Sequence, residues 1–261
     1  MPFRHLLVGV LEGFLHLDGK SYRTALALVF KPGFLTNEFM RGRRASHVPP
    51  VRLYVFISFV FFLFLSFTSG GGHSEGKPEK QGALNFSFYS VSSKDLQGLG
   101  EAQIDSLMVA QGIERTPFKK YVAMQLGRVA SSGRAEVNHM LIKGVSYMMF
   151  VLMPFFGLLL YLFHRKTSVY YLNCLVFSVH FHSFVFLFFT VMVLLGKLVD
   201  LTYLIVASPF ILAVYLWLAL RAVYSQKRFV TAAKSIAIGF LHLLGIAVSF
   251  VLVVFISILL F

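Results

Sequence analysis

Residues 17–62 read LDGKSYRTALALVFKPGFLTNEFMRGRRASHVPPVRLYVFISFVFF. This stretch is basic and broken by prolines, and it runs directly into an apolar segment. Arg23, Lys31, Arg41, Arg43, Arg44 and Arg52 gather just ahead of that segment. Cationic side chains flanking a membrane span set its orientation, so this cluster predicts a cytoplasmic N-terminus. The same six residues are the candidate lipid-interface residues, because each cation near an anionic leaflet contributes about 1 kcal/mol.

Composition supports a membrane setting for the whole chain. Of 261 residues, 57% are hydrophobic and 13% charged, about half the charged fraction of an ordinary soluble domain. The formal charge of +13 is divided among short segments between apolar runs, whereas a nucleic-acid binder collects its cations on one face. Nucleic acid is therefore not an expected partner. A single cysteine, Cys174, excludes an intramolecular disulfide and a cysteine-rich zinc site. Glu12 and Asp18 interrupt the first apolar run, so no cleavable signal is expected.

Upstream of the cluster, Phe3, Leu6, Leu7, Val10, Leu11, Phe14 and Leu15 recur at helical spacing, which predicts an amphipathic helix. A second amphipathic piece, Tyr22 to Phe30, ends at Lys31-Pro32-Gly33. Thr36, followed by Asn37 and Glu38, reads as the N-cap and acidic first turn of a short helix ending near Arg41-Gly42. Helices this short and one-sided are expected to lie in the headgroup plane; the alternative is a small domain docked on the bundle. After Pro49-Pro50 no charge appears from Leu53 to Gly72, about one bilayer thickness of helix.

Residues 73–143 have soluble character. Alternation around Leu84 to Val91 predicts a short strand, and Ile104 to Gln111 and Phe118 to Val129 show helical spacing. Four more spans follow: Gly144 to Phe163, Tyr170 to Gly196, Leu201 to Leu220 and Ser235 to Phe261. Pro154 and Pro209 lie within two of them, where neighbouring helices can absorb the lost backbone bond and kinks are expected. The expected architecture is an all-α membrane protein with a five-helix transmembrane bundle. It divides into an interfacial platform (1–50), a first span (51–72), an extracytoplasmic segment (73–143) and spans two to five (144–261). With the N-terminus inside, the charge partitions as +11 cytoplasmic and +2 outside, consistent with the positive-inside rule, and five crossings put the C-terminus outside.

Charged side chains are absent from every span, which argues against a proton-coupled carrier. The intramembrane polar candidates are Asn173, His180, His182 and His242. The three histidines are predicted at similar depth, and intramembrane histidine defaults to a functional hypothesis. Residues two apart on a helix point about 200° from one another, so His180 and His182 cannot share one central site. Asn173 shares a face with His180. Cys174, His182 and His242 make a conceivable metal set, but with three ligands at best; the expectation is no metal and no cofactor, with the histidines hydrogen-bonded to neighbouring helices. No phosphate loop, zinc-protease motif or nucleophile elbow is found, so no catalytic residue is predicted.

LDGKSYRTALALVFKPGFLTNEFMRGRR, PPVRLYVFISFVFF, VFSVHFHSFVFL in the third span and LALRAVYSQKR after the fourth together resemble the bacterial membrane family catalogued as domain of unknown function 3667. The resemblance covers nearly all of the chain except the soluble segment. Family members often open with a cysteine-rich ribbon similar to a zinc-binding module, which is missing here, and many carry Glu-His where this chain has Asn173-Cys174. The resemblance implies a bacterial inner-membrane location and no established activity. Two functional classes are then expected. One is a non-enzymatic membrane component that binds anionic lipid, or a protein partner, through its platform, and the other is a small homo-oligomeric conduction unit with a path past the histidines. The first is preferred, because an odd helix count without internal repeat does not fit a duplicated transporter fold.

Overall fold

The computed structural model describes residues 19–70, 87–88, 91–92, 101–110, 116–131, 134–165, 170–196 and 202–259. The helix expected at Phe3 to Leu17 lies outside these residues. Among the described residues the chain is helical apart from one small hairpin. The elements are α1 (Gly19–Phe30), α2 (Phe34–Met40), α3 (Pro50–Gly70), β1 (Ser87–Phe88), β2 (Val91–Ser92), α4 (Glu101–Ala110), α5 (Pro117–Ser131), α6 (Arg134–His164), α7 (Tyr171–Leu195), α8 (Thr202–Tyr224) and α9 (Arg228–Leu259).

Among the described residues, four helical segments are long and apolar enough to cross a membrane: Met140–His164, Tyr171–Leu195, Thr202–Tyr224 and Arg228–Ser257. Helix α3 contains a shorter apolar stretch, Pro50–Leu65. Helices α6 and α9 start earlier than the expected spans, at Arg134 and Arg228 rather than Gly144 and Ser235. Charge marks where hydrocarbon ends, but intrahelical hydrogen bonding continues past that level into water. Helix α3 starts on Pro50 itself, because a first-turn proline lacks only an N–H that would have no intrahelical partner. Helices α6 and α8 continue through Pro154 and Pro209.

The chain forms two compact units. In the first, the described residues up to Phe64 pack with those of Phe150–Gly245. Here α1 and α2 form a helical hairpin that contacts α7, and α2 also contacts α8. Aromatic packing joins the long helices: Phe184 of α7 stacks on Tyr215 of α8 with ring centroids 3.5 Å apart and planes 3° from parallel, and Phe186 meets Tyr54, Phe61 and Phe62 of α3. Helices α6 and α7 approach backbone to backbone at Gly157, where an added Cβ would lie 3.2 Å from Leu175 Cα.

The second unit comprises Leu65–Met149 and Ile246–Phe261. Strands β1 and β2 pair antiparallel, Ser87 with Ser92 and Phe88 with Val91, so the single strand expected around Leu84 to Val91 is a hairpin. Helices α4 and α5 pack together on Ile104, Val122 and Leu126. The end of α9 is capped from α5: Tyr121 donates its hydroxyl to the Leu259 carbonyl at 2.6 Å and Gln125 Nε2 approaches it at 3.4 Å, satisfying a helix-terminal acceptor that has no intrahelical partner.

Two glycines enter and leave α2 in the left-handed region, Gly33 at φ 77° and Gly42 at φ 80°. They differ in their surroundings. A Cβ on Gly33 would lie 2.8 Å from Ala219 O and 3.0 Å from Val223 Cγ2, whereas one on Gly42 would meet nothing within 4 Å. Thermal unfolding in detergent should therefore separate them. Gly42→Ala is expected to cost about 1 kcal/mol of conformational strain, and Gly33→Ala about 2–4 kcal/mol because a clash with α8 is added; equal losses would refute the close contact.

Candidate functional site

The site begins with the amphipathic pattern of α1. Thr24, Ala27 and Leu28 are buried at helical spacing while Lys20, Tyr22 and Arg23 are exposed, so the apolar stripe faces the bundle and the cations face away. The Thr24 hydroxyl donates to Lys20 O at 2.6 Å and accepts from the Val48 amide at 3.2 Å. That bond draws the connector after α2 back over α1.

Helix α2 buries Leu35, Thr36 and Glu38. Thr36 is not the N-cap. The capping position is Gly33, which has no side chain to cap with, and the helix begins at Phe34 because the left-handed Gly33 sets the turn. Thr36 instead points inward, its hydroxyl 3.0 Å from His180 Nδ1 of α7. Next to it Asn37 Nδ2 donates to Ala222 O at 3.0 Å, in the last turn of α8. From α8, Tyr215 donates its hydroxyl to Leu28 O at 2.5 Å, in the last turn of α1. Carbonyls in the final turn of a helix have no intrahelical donor, and in hydrocarbon each one left unsatisfied costs several kcal/mol. The hairpin and the bundle each supply a donor for the other's helix end.

The Asn37–Ala222 contact is exposed at the end of α8, and the other two lie further along the long helices. His180 is nine residues into α7 from Tyr171 and Tyr215 is nine residues before the end of α8, about 13 Å by helical rise. The hairpin is thus packed against α7 and α8. The reason is polar: Thr36 and the Leu28 carbonyl have specific partners on α7 and α8 that a lipid surface does not supply.

Glu38 is the buried charge of the hairpin, with its side chain 8% exposed. Its two carboxylate oxygens lie 3.5 Å from Arg41 Nη1 and 3.5 Å from Arg43 Nη1, and those side chains are 62% and 63% exposed. A buried acid is tolerated when paired and hydrogen-bonded; here two cations hold one anion and leave a net positive face. Of the other predicted interface residues, Arg23 and Arg52 are exposed and Lys31 lies 5.4 Å from the Phe34 ring centroid. The Arg44 side chain lies outside the described residues.

The predicted intramembrane residues separate into three places. His180 faces the hairpin. On the other side of α7, His182 meets His242 of α9 with ring centroids 5.4 Å apart, and Phe156 of α6 packs on both. His182 Nδ1 donates to Ser178 O at 2.8 Å, which leaves its Nε2 as an acceptor; that atom and His242 Nδ1 are buried without a hydrogen-bond partner among the described residues. Cys174 is elsewhere again, its Sγ 3.4 Å from Tyr224 OH, and the Tyr224 ring stacks on His164 at 3.8 Å. Asn173 is half-buried in the first turn of α7.

Cys174, His182 and His242 do not form a metal set. Among the described residues no three His, Cys, Asp or Glu side chains converge to hold an ion. Cys174 and His182 are eight residues apart on one helix, which separates them by about 12 Å of rise.

Sequence reasoning missed His47 and Tyr215. His47 sits in the connector after α2, T-shaped against Phe34 at 5.7 Å, and lines a cavity of about 220 Å³ together with Glu38, Arg43 and His180. Nothing in the local pattern marks either residue, since both acquire their roles from contacts far along the chain. The pairing of Glu38 with Arg41 was legible as an i, i+3 spacing.

Residues 18–62 match the family model described as Protein of unknown function (DUF3667). This segment is similar to the DUF3667 family. The matched residues contain the whole hairpin, its connector and most of α3, so every residue lining the cavity except His180 falls within the DUF3667 match. No curated protein and no solved structure matches the chain.

The partnered and unpartnered histidines should respond oppositely to mutation. Thr36→Val is expected to destabilise by about 1 kcal/mol, with a Thr36→Val/His180→Phe cycle giving a coupling of about 0.6–1.7 kcal/mol. His242→Leu should be neutral or stabilising, because it removes a buried atom that lacks a partner. Unfolding in mixed micelles measures all of these, and zero coupling would reject the Thr36–His180 bond.

Proposed function

We propose that the chain is a non-enzymatic, multi-pass component of the bacterial inner membrane whose hairpin presents a basic face to anionic lipid headgroups. The observation that carries this reading is the sorting of charge on the hairpin, its connector and the start of α3. Glu38 is buried and neutralised, while Lys20, Arg23, Lys31, Arg41, Arg43 and Arg52 are exposed. In this reading α3 is a further crossing, which makes five; the N-terminus is cytoplasmic and the C-terminus extracytoplasmic. Residues beyond α3 up to the start of α6 form the extracytoplasmic segment. A second copy or another membrane protein would meet the lipid-facing helices rather than the hairpin, whose buried face is already occupied.

A histidine-lined conduction path gains no support, because His180 is turned away from the His182–His242 pair. What α7 offers is two separate polar contacts on opposite faces.

Reconstitution in nanodiscs of defined composition tests the lipid reading. Raising the phosphatidylglycerol fraction against phosphatidylcholine should raise the unfolding temperature at low salt, with the effect screened as salt increases. Replacing Lys20, Arg23, Lys31 and Arg52 together with glutamine should remove about 1 kcal/mol of stabilisation per charge. Equal stability of the unmodified protein in both lipids would reject the proposal.

A further inference from the structure

The cavity between α2, its connector and α7 has a chemistry that diffuse lipid attraction does not require. Leu35, Phe39 and Val48 give it apolar walls, and Arg43, His47 and His180 bring polar groups to it. Pro49 and Pro50 also line it and have no backbone N–H, so hydrogen bonds to an occupant from this side must come from side chains. Two such groups are available. Arg43 engages Glu38 through Nη1, leaving the rest of its five-donor fork. His47 Nδ1 is buried without a hydrogen-bond partner among the described residues.

Charge selects the class of ligand. Glu38 also lines the cavity, but it already lies against two guanidinium groups, Arg43 of the lining and Arg41 just outside it, so the local balance is positive and an anion is favoured over a cation. Size narrows it further: about 220 Å³ is below the range of about 300–1,000 Å³ typical of pockets that enclose a whole small molecule. The space suits one tetrahedral oxyanion with a short apolar extension. Arg43 matches phosphate oxygens in a bidentate manner, and the apolar walls suit the carbon chain of a phosphodiester.

We propose that this cavity is a stoichiometric binding site for a single phosphate group, held by Arg43 and His47. The inference rests on the reading that the hairpin faces anionic headgroups, and it adds a defined site to that surface.

The test uses the full chain in dodecyl maltoside micelles, which contain no phosphate, with dihexanoylphosphatidylglycerol, dihexanoylphosphatidylcholine and inorganic phosphate as probes and native mass spectrometry as the readout. Saturable binding of one dihexanoylphosphatidylglycerol is expected, weakened about tenfold or more by Arg43→Gln and by His47→Phe. His47→Phe keeps a ring against Phe34 and so guards against a folding defect in the arginine variant. Competition by dihexanoylphosphatidylcholine but not by inorganic phosphate identifies a lipid phosphodiester; competition by inorganic phosphate identifies the free anion. Binding that is unsaturable, or unchanged in both variants, overturns the site. If that happens while anionic nanodiscs still stabilise the protein, only this inference fails; if stoichiometric binding persists without bulk anionic stabilisation, only the broader lipid reading fails.

Discussion

A carbonyl at the end of a helix inside or beside hydrocarbon must find a donor, and this requirement holds the first unit together. Water normally satisfies such groups. Here Tyr215 serves the end of α1 and Asn37 serves the end of α8. Neither element can withdraw without leaving an acceptor on the other without its donor. Gly33 makes the exchange possible, since its lack of a side chain lets the hairpin turn rest against Ala219 and Val223.

The docked hairpin determines where charge can go. Its buried face carries threonine, leucine and one neutralised glutamate, and its outer face carries the cations. This arrangement reconciles a highly basic segment with a chain that is otherwise apolar, because attachment to the bundle rests on neutral hydrogen bonds and packing rather than on the arginines. The basic side chains are left available for anionic partners.

Much of the architecture was legible in the sequence because hydrophobic runs of bilayer length have few alternatives. The helices α7 and α8 lie within a few residues of the expected spans, the end of α1 at Phe30 follows from Lys31-Pro32-Gly33, and the separation of His180 from His182 follows from helical geometry alone. Contacts that depend on a partner distant in sequence were not legible. Thr36 has the residue type of an N-cap, and only its position against His180, 144 residues away, shows that it is a tertiary contact. Similarly, Cys174 and His182 share an angular sector, yet the rise between them and the Tyr224 partner of Cys174 separate their roles. The cavity was invisible for the same reason, since its wall combines a local connector with one side chain from α7.

The most direct measurement is oxidative cross-linking in native membranes. In a Cys174→Ser background, Asn37→Cys paired with Ala222→Cys should form an intramolecular disulfide readily. Asn37→Cys paired with Tyr203→Cys, near the opposite end of α8, should not. Cross-linking of the second pair as efficiently as the first, or of neither, would contradict a hairpin docked on the bundle.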